Sequence, residues 1–189
     1  HNGIHRFFLG KGSRVLYKEK HVGTGKGEGM KRIDPVTDAV LEEDSTLEMD
    51  TIQLGGVDAT TRTTKAVLKS RAKLLVRERI MTEGVQTAKT DFIVDMEGED
   101  SAADLVSRSV ARGNSVQSFD STIRGLTRCT GHSECDAILA ENGRVLASPA
   151  LEAAHIDAAL IHEAAIGRIA GDQLLKLQTL GLTAEEAED

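Results

Sequence analysis

The chain has 189 residues, 40% of them hydrophobic and 28% charged, enough for one folded domain with a substantial core. Its net charge of −7, with Lys and Arg scattered among acids, argues against a basic groove for nucleic acid. No apolar run approaches the roughly 20 residues that a membrane-crossing helix needs.

The first residues, His1-Asn2-Gly3-Ile4, include neither an initiator Met nor an apolar secretory stretch, and they read as the edge of an excised piece. With two cysteines and no export signal, the expectation is a reducing compartment, the cytoplasm, rather than a disulfide framework. Gly23-Thr24-Gly25-Lys26-Gly27-Glu28-Gly29 invites a phosphate-loop reading. The spacing fails: Lys20 stands where the first Gly should be, and Gly27 follows Lys26 in place of Ser or Thr. An exposed flexible loop is the simpler reading. His5 and His21 read as surface or strand residues.

From there to about residue 130 the pattern is short strands. Leu47-Glu48-Met49-Asp50 and Phe92-Ile93-Val94-Asp95-Met96 alternate apolar with polar, the period of a half-buried strand. Lys73–Ile80 is strand-like although a helix also fits. Thr is frequent, which favours β structure. In Ser101–Arg112 the two patterns compete, and the neighbouring strands tip it to strand. Turn signals at Gly55-Gly56, Gly84, Gly98 and Gly113-Asn114 are spaced too irregularly for a hairpin meander. They suit the loose coils of a parallel β-solenoid. Aromatics at 3% point the same way, since a core of Val, Ile, Leu, Met and Ala suits a narrow, repetitive interior. The expected division is a β-helix core over 1–150 and a C-terminal segment with helices over 151–189. Asp172–Leu180 reads as a helix stopped by Gly181, and Thr183-Ala184-Glu185-Glu186 as the capping box of another.

The chemistry-bearing stretch is Arg128-Cys129-Thr130-Gly131-His132-Ser133-Glu134-Cys135-Asp136, followed downstream by His162-Glu163. Thiolate, imidazole and carboxylate together are the ligand set of iron and zinc. Cys129-x2-His132-x2-Cys135 is half a metal site, which His162 and Glu163 or a second chain would complete. The alternatives are a Cys-His hydrolase or transferase pair, and buried thiols beside satisfied histidines. Glu134 and Asp136 flank Cys135 with negative charge, which raises a thiol pKa and favours a ligand over a nucleophile. His155 is a weaker candidate nearby.

Several ordered motifs resemble one family. They are Glu134-Cys135-Asp136-Ala137-Ile138-Leu139, Pro149-x-Leu151-Glu152, His162-Glu163-Ala164, Gly171-Asp172-Gln173-Leu174 and Leu180-Gly181-Leu182-Thr183-x-Glu185-Glu186-Ala187. Upstream stand His21-x-Gly23-x-Gly25-x-Gly27, Gly56-Val57-Asp58-x-Thr60, Ser107-Arg108-Ser109-Val110-Ala111 and Phe119-x-Ser121-x-Ile123-x-Gly125. Together they are similar to the SufB/SufD scaffold subunits of the SUF iron–sulfur cluster assembly machinery, most of all to short members from archaea and anaerobic bacteria.

The resemblance implies a right-handed parallel β-helix with a helical C-terminal segment that docks a SufC-type ABC ATPase. It implies pairing through the end of the β-helix, as a homodimer or with a paralogous subunit, and a sulfur donor protein. By the same resemblance Cys135, Glu163 and His162 would hold iron or a transient iron–sulfur cluster, with Cys129 and His132 assisting. Longer members carry further cysteines inside the β-helix, where this chain has only Cys129 and Cys135. The expected role is a scaffold rather than an enzyme. The alternative within the family is a SufD-like structural partner that binds no cluster.

Overall fold

The computed structural model of the chain describes residues 2–24 and 29–168. These residues form thirteen strands and no helix. They are β1 (Ile4–Leu9), β2 (Arg14–His21), β3 (Arg32–Ile33), β4 (Val36–Leu41), β5 (Thr46–Leu54), β6 (Ala59–Leu68) and β7 (Lys73–Thr82). β8 (Thr87–Met96), β9 (Ser101–Ala111), β10 (Val116–Gly125), β11 (Cys129–Leu139), β12 (Arg144–Ala153) and β13 (Ala158–Arg168) follow.

Every pairing is parallel, and strands alternate between two sheets. One runs β1-β4-β6-β8-β10-β12, with β3 also against β6; the other runs β2-β5-β7-β9-β11-β13. The chain therefore winds as a parallel β-solenoid of about six turns, the architecture expected from the sequence. The stretch Ser101–Ala111, where helix and strand patterns competed, is strand, as is Lys73–Thr82. β12 and β13 carry the solenoid to Arg168, well past residue 150. The two helices expected after Gly171 lie outside the described residues.

The coil length shows in the ion pairs on the outer surface. Arg71–Asp44, Lys69–Glu97 and Arg124–Asp95 join residues 27, 28 and 29 apart, one coil to the next. Such exposed pairs contribute about 0–1 kcal/mol each; they trace the winding more than they stabilise it. The corners between strands use left-handed backbone at Asp44, Arg71, Asp100 and Glu141 as well as at glycines. Gly98 is required for another reason: a Cβ there would run into the Ser70 backbone nitrogen of the preceding coil.

Inside, equivalent positions stack in columns along the axis. One column reads Val15, Leu47, Leu74, Ala103, Gly131, Leu160. A second reads Tyr17, Met49, Val76, Leu105, Ser133, His162, and so turns polar toward its end. A third is polar for most of its length: Glu19, Thr51, Glu78, Ser107, Cys135, Ala164. Buried leucines such as Leu41, Leu47, Leu68 and Leu74 stabilise the interior by about 1.5–3 kcal/mol each. The only aromatic pair deep inside, among the described residues, is Phe92 against Phe119 at 5.8 Å.

The third column holds a charged network. Arg62, reaching in from the opposite sheet, places Nη1 2.6 Å from Glu19 and Nε 3.3 Å from Glu78. Thr90 and Ser107 donate their hydroxyls to the Glu78 carboxylate at 3.0 and 2.9 Å. His21 lies 3.0 Å from Glu19, and its Nδ1 is buried without a hydrogen-bond partner among the described residues. Burial drives Glu78 above the ordinary carboxylate range, against the opposing pull of Arg62 and the two hydroxyls.

Candidate metal and thiol site

A strand alternates its side chains, so spacing in sequence decides which face each residue joins. In β11, Cys129, Gly131, Ser133 and Cys135 point into the solenoid, while Thr130, His132, Glu134 and Asp136 point out. Cys129 and Cys135, six residues apart, share the inner face; His132, three from each, is on the outer one. β13 lies alongside, with Ser133 opposite His162, Glu134 opposite Glu163 and Cys135 opposite Ala164. Ala158, Leu160 and His162 turn inward and Glu163 outward.

All five residues singled out in the sequence thus fall on two adjacent strands, and they divide by face. Cys129, Cys135 and His162 form an inner set; His132 and Glu163 form an outer one. The expected trio of Cys135, His162 and Glu163 does not converge on one point, because the sheet itself stands between Cys135 and Glu163. His155 is in the turn between β12 and β13, where the Asp157 N–H donates to its Nδ1 at 3.1 Å, and it joins neither set.

On the inner face both thiols are free and buried. Burial, then the charges of Asp136 and Glu78, push Cys135 up to about 11. Burial also raises Cys129. Both are therefore protonated thiols at neutral pH, the reverse of an activated nucleophile, which weighs against the hydrolase reading. The His162 ring is held below its ordinary value by burial first, with the neighbouring His132 acting the same way. Its Nδ1 is buried with no hydrogen-bond partner among the described residues. An orphaned buried imidazole nitrogen is costly unless something binds it, and a soft metal or a cluster iron is a suitable occupant. Gly131 keeps this face accessible to close packing: a Cβ there would sit 2.7 Å from Leu160 Cδ2 and 2.9 Å from Ile123 Cγ2.

The outer face is arranged differently. His132 Nδ1 hydrogen-bonds Asp104 Oδ1 at 2.8 Å, and the other Asp104 oxygen accepts from Arg77 at 2.6 Å. An ionised carboxylate only accepts, so Nδ1 carries the proton and Nε2 is left with its lone pair in the neutral ring. Nε2 is 3.6 Å from Glu163 Oε2. His132, Glu134 and Glu163 each offer a ligand atom, and the three atoms lie within 4.8 Å of one another. The hydrogen bond to Asp104 raises the His132 pKa, against a smaller burial effect. Glu134 also meets Arg108 Nη2 at 3.3 Å, and Arg108 Nε is 3.7 Å from Asp136.

Over residues 1–189 the chain matches the family model described as "SUF system FeS cluster assembly, SufBD core domain". The chain belongs to the SufBD family. Its relatives include an "Iron-sulfur cluster assembly SufBD family protein" of Methanothermobacter thermautotrophicus strain Delta H, 27% identical over 99% of this chain and 45% of the relative. A SufBD family protein of the same description from Archaeoglobus fulgidus is 28% identical over 99% of this chain and 50% of the relative. One from Pyrococcus horikoshii is 26% identical over 100% of this chain and 57% of its own length. The chain spans about half the length of the SufBD relatives it matches.

Asp104, Glu134 and the Arg62–Glu78 network were not among the residues that sequence reasoning singled out as a site. The signal for Glu134 was available, since it is one residue from Cys135 and two from His132. Asp104 and Arg62 had none, because only the coil register brings them to His132 and Glu78.

Proposed function

We propose that this chain is the core of a scaffold on which a nascent iron–sulfur cluster is built, with SufC-type ATPase activity supplied by a partner. The observation that carries the reading is that β11 and β13 bring two thiols and an imidazole to the inner face and an imidazole and two glutamates to the outer one, the inner imidazole keeping a buried Nδ1 with no hydrogen-bond partner among the described residues. Membership in the SufBD family agrees with it. Iron and sulfide are the cargo. Cys129, Cys135 and His162 would take them from the inner face, and Glu163 and His132 from the outer one. Among the described residues β12 and β13 are edge strands, each paired on one side only. An edge of this kind is a ready surface for a second copy or a paralogous subunit. A sulfur donor protein and a cytoplasmic setting belong to the same reading; no helix among the described residues is long and apolar enough to cross a membrane.

Because the thiols are buried, a second reading stands beside the first: a SufD-like structural partner of the ATPase that takes no cluster. Anaerobic reconstitution with iron and sulfide separates them. The scaffold reading expects charge-transfer absorbance that a Cys135→Ala variant loses. Full absorbance in that variant would remove Cys135 from the ligand set. An ATPase pull-down that succeeds while metal analysis stays empty in every nucleotide state would establish the structural role.

A further inference from the structure

His132, Glu134 and Glu163 face away from the thiols, and their geometry is that of an independent ion site. We propose that they bind a single divalent first-row cation on the outer face of the sheet, without Cys135. That the ion is Fe2+ rests on the scaffold reading above.

Three features carry the assignment. First, the imidazole is pre-set. Asp104 accepts a hydrogen bond from the Nδ1–H of His132 and is itself fixed by Arg77, so Nε2 is presented toward Glu163. A carboxylate behind a histidine in this way is the usual support of a metal-bound ring, fixing its tautomer and its orientation. Second, the separations are close to those of a bound ion. Ligand atoms about 2.1 Å from a metal are at most about 4.2 Å apart. His132 Nε2 and Glu163 Oε2, 3.6 Å apart, already meet that limit, and all three ligand atoms lie within 4.8 Å of one another. Third, the competing cation has somewhere to go. Arg108 holds Glu134 at 3.3 Å and already lies 3.7 Å from Asp136, so an arriving ion can displace it from Glu134 while it keeps Asp136.

One imidazole and two carboxylates neutralise a divalent charge and leave further positions open. This donor set suits Fe2+, Mn2+ or Zn2+ and lacks the thiolate that would trap copper(I). Glu134 and Cys135 are consecutive residues. The outer ion and the inner thiol would thus be held one peptide apart, on opposite faces of one strand.

Anaerobic titration of the 189-residue chain with Co2+, followed by visible absorbance, tests this. The expected result is ligand-field bands that saturate at one Co2+ per chain in a Cys135→Ser variant, without a near-ultraviolet thiolate-to-cobalt band there, and displacement by excess Fe2+. His132→Ala and the near-isosteric Glu134→Gln should each weaken binding at least tenfold, and Asp104→Asn by about 10- to 100-fold. Cys135→Ser should leave it unchanged. Circular dichroism of Glu134→Gln guards against a folding defect. Loss of the ligand-field bands in Cys135→Ser, or wild-type affinity in His132→Ala, would overturn the site; no displacement by Fe2+ would overturn the choice of iron. Normal cluster reconstitution in a His132→Ala chain that binds Co2+ like the wild type would remove this site and leave the scaffold reading standing. Tight Co2+ binding in a chain that never builds a cluster would do the opposite.

Discussion

Arg62→Met should be among the most damaging single changes in this chain, by an amount that depends on pH. The Arg62 side chain is 6% exposed and serves two carboxylates, Glu19 at 2.6 Å and Glu78 at 3.3 Å, the latter 1% exposed. Removing one partner of a buried ion pair costs about 3–5 kcal/mol, because the remaining charge is left in a poor solvent. Glu78 would keep only the hydroxyls of Thr90 and Ser107. It can escape part of the cost by taking up a proton. Burial already holds its folded-state pKa above the ordinary carboxylate value, and Arg62 is the main influence in the other direction.

A carboxyl raised on folding binds more protons in the folded state. It therefore loses stability as pH rises from the unfolded to the folded pKa, and the loss is constant above that. Without Arg62 the window widens upward, at about 1.4 kcal/mol per unit of further shift. Glu19 adds to the same trend: burial raises it, but Arg62 and then His21 hold it below the ordinary value, so its stabilisation also belongs to the higher pH. Denaturant unfolding at about pH 5 and about pH 8 should show a larger deficit for Arg62→Met at pH 8. The double variant Arg62→Met/Glu78→Gln, which keeps an acceptor for both hydroxyls, should recover at least half of it. A deficit below about 1 kcal/mol at pH 8, or one that shrinks as pH rises, would refute the placement of a charged Glu78 against Arg62.

Two further outcomes follow from the site. With its pKa at about 11, Cys135 should carry roughly 300-fold less thiolate at neutral pH than an ordinary cysteine of pKa about 8.5, so alkylation should be slow in the folded chain, quicken as pH rises, and be fast in denaturant. Mass-resolved iodoacetamide labelling measures it, and equal neutral-pH rates for folded and denatured chains would contradict the buried thiol. Gly131→Val should cost about 1–3 kcal/mol through collision with Leu160 and Ile123, whereas Gly10→Ala, with nothing within 4 Å, should change denaturant stability by about 0.5 kcal/mol or less.

The strands were legible where alternation was clean, as in Leu47–Asp50 and Phe92–Met96. The winding was harder to read because its period drifts. Lys69–Glu97 and Arg71–Asp44 mark coils of 28 and 27 residues, while Arg14 lies opposite Thr46 in a longer first coil. The inner face adds to the difficulty by placing Glu19, Arg62, Glu78 and Ser107 where a repeat would put aliphatic residues. In a solenoid these groups are tolerated because partners one coil away satisfy them, and a window along the chain does not see that neighbour.

The site shows the same limit in a sharper form. Cys129-x2-His132-x2-Cys135 read as one ligand group is a loop or helix reading. On a strand an odd separation changes face, so the motif yields two thiols on one side and an imidazole on the other. The position along the axis then completes the logic. Coils in the middle of the solenoid are covered on both sides, and Glu78 there is almost fully enclosed. β11 still has a neighbour on each side, and Cys135 is 1% exposed. β13 has only β11 among the described residues, and the Glu163 side chain is 67% exposed. A dry thiol beside an open carboxylate requires such a gradient, and among the described residues the β12–β13 edge provides it.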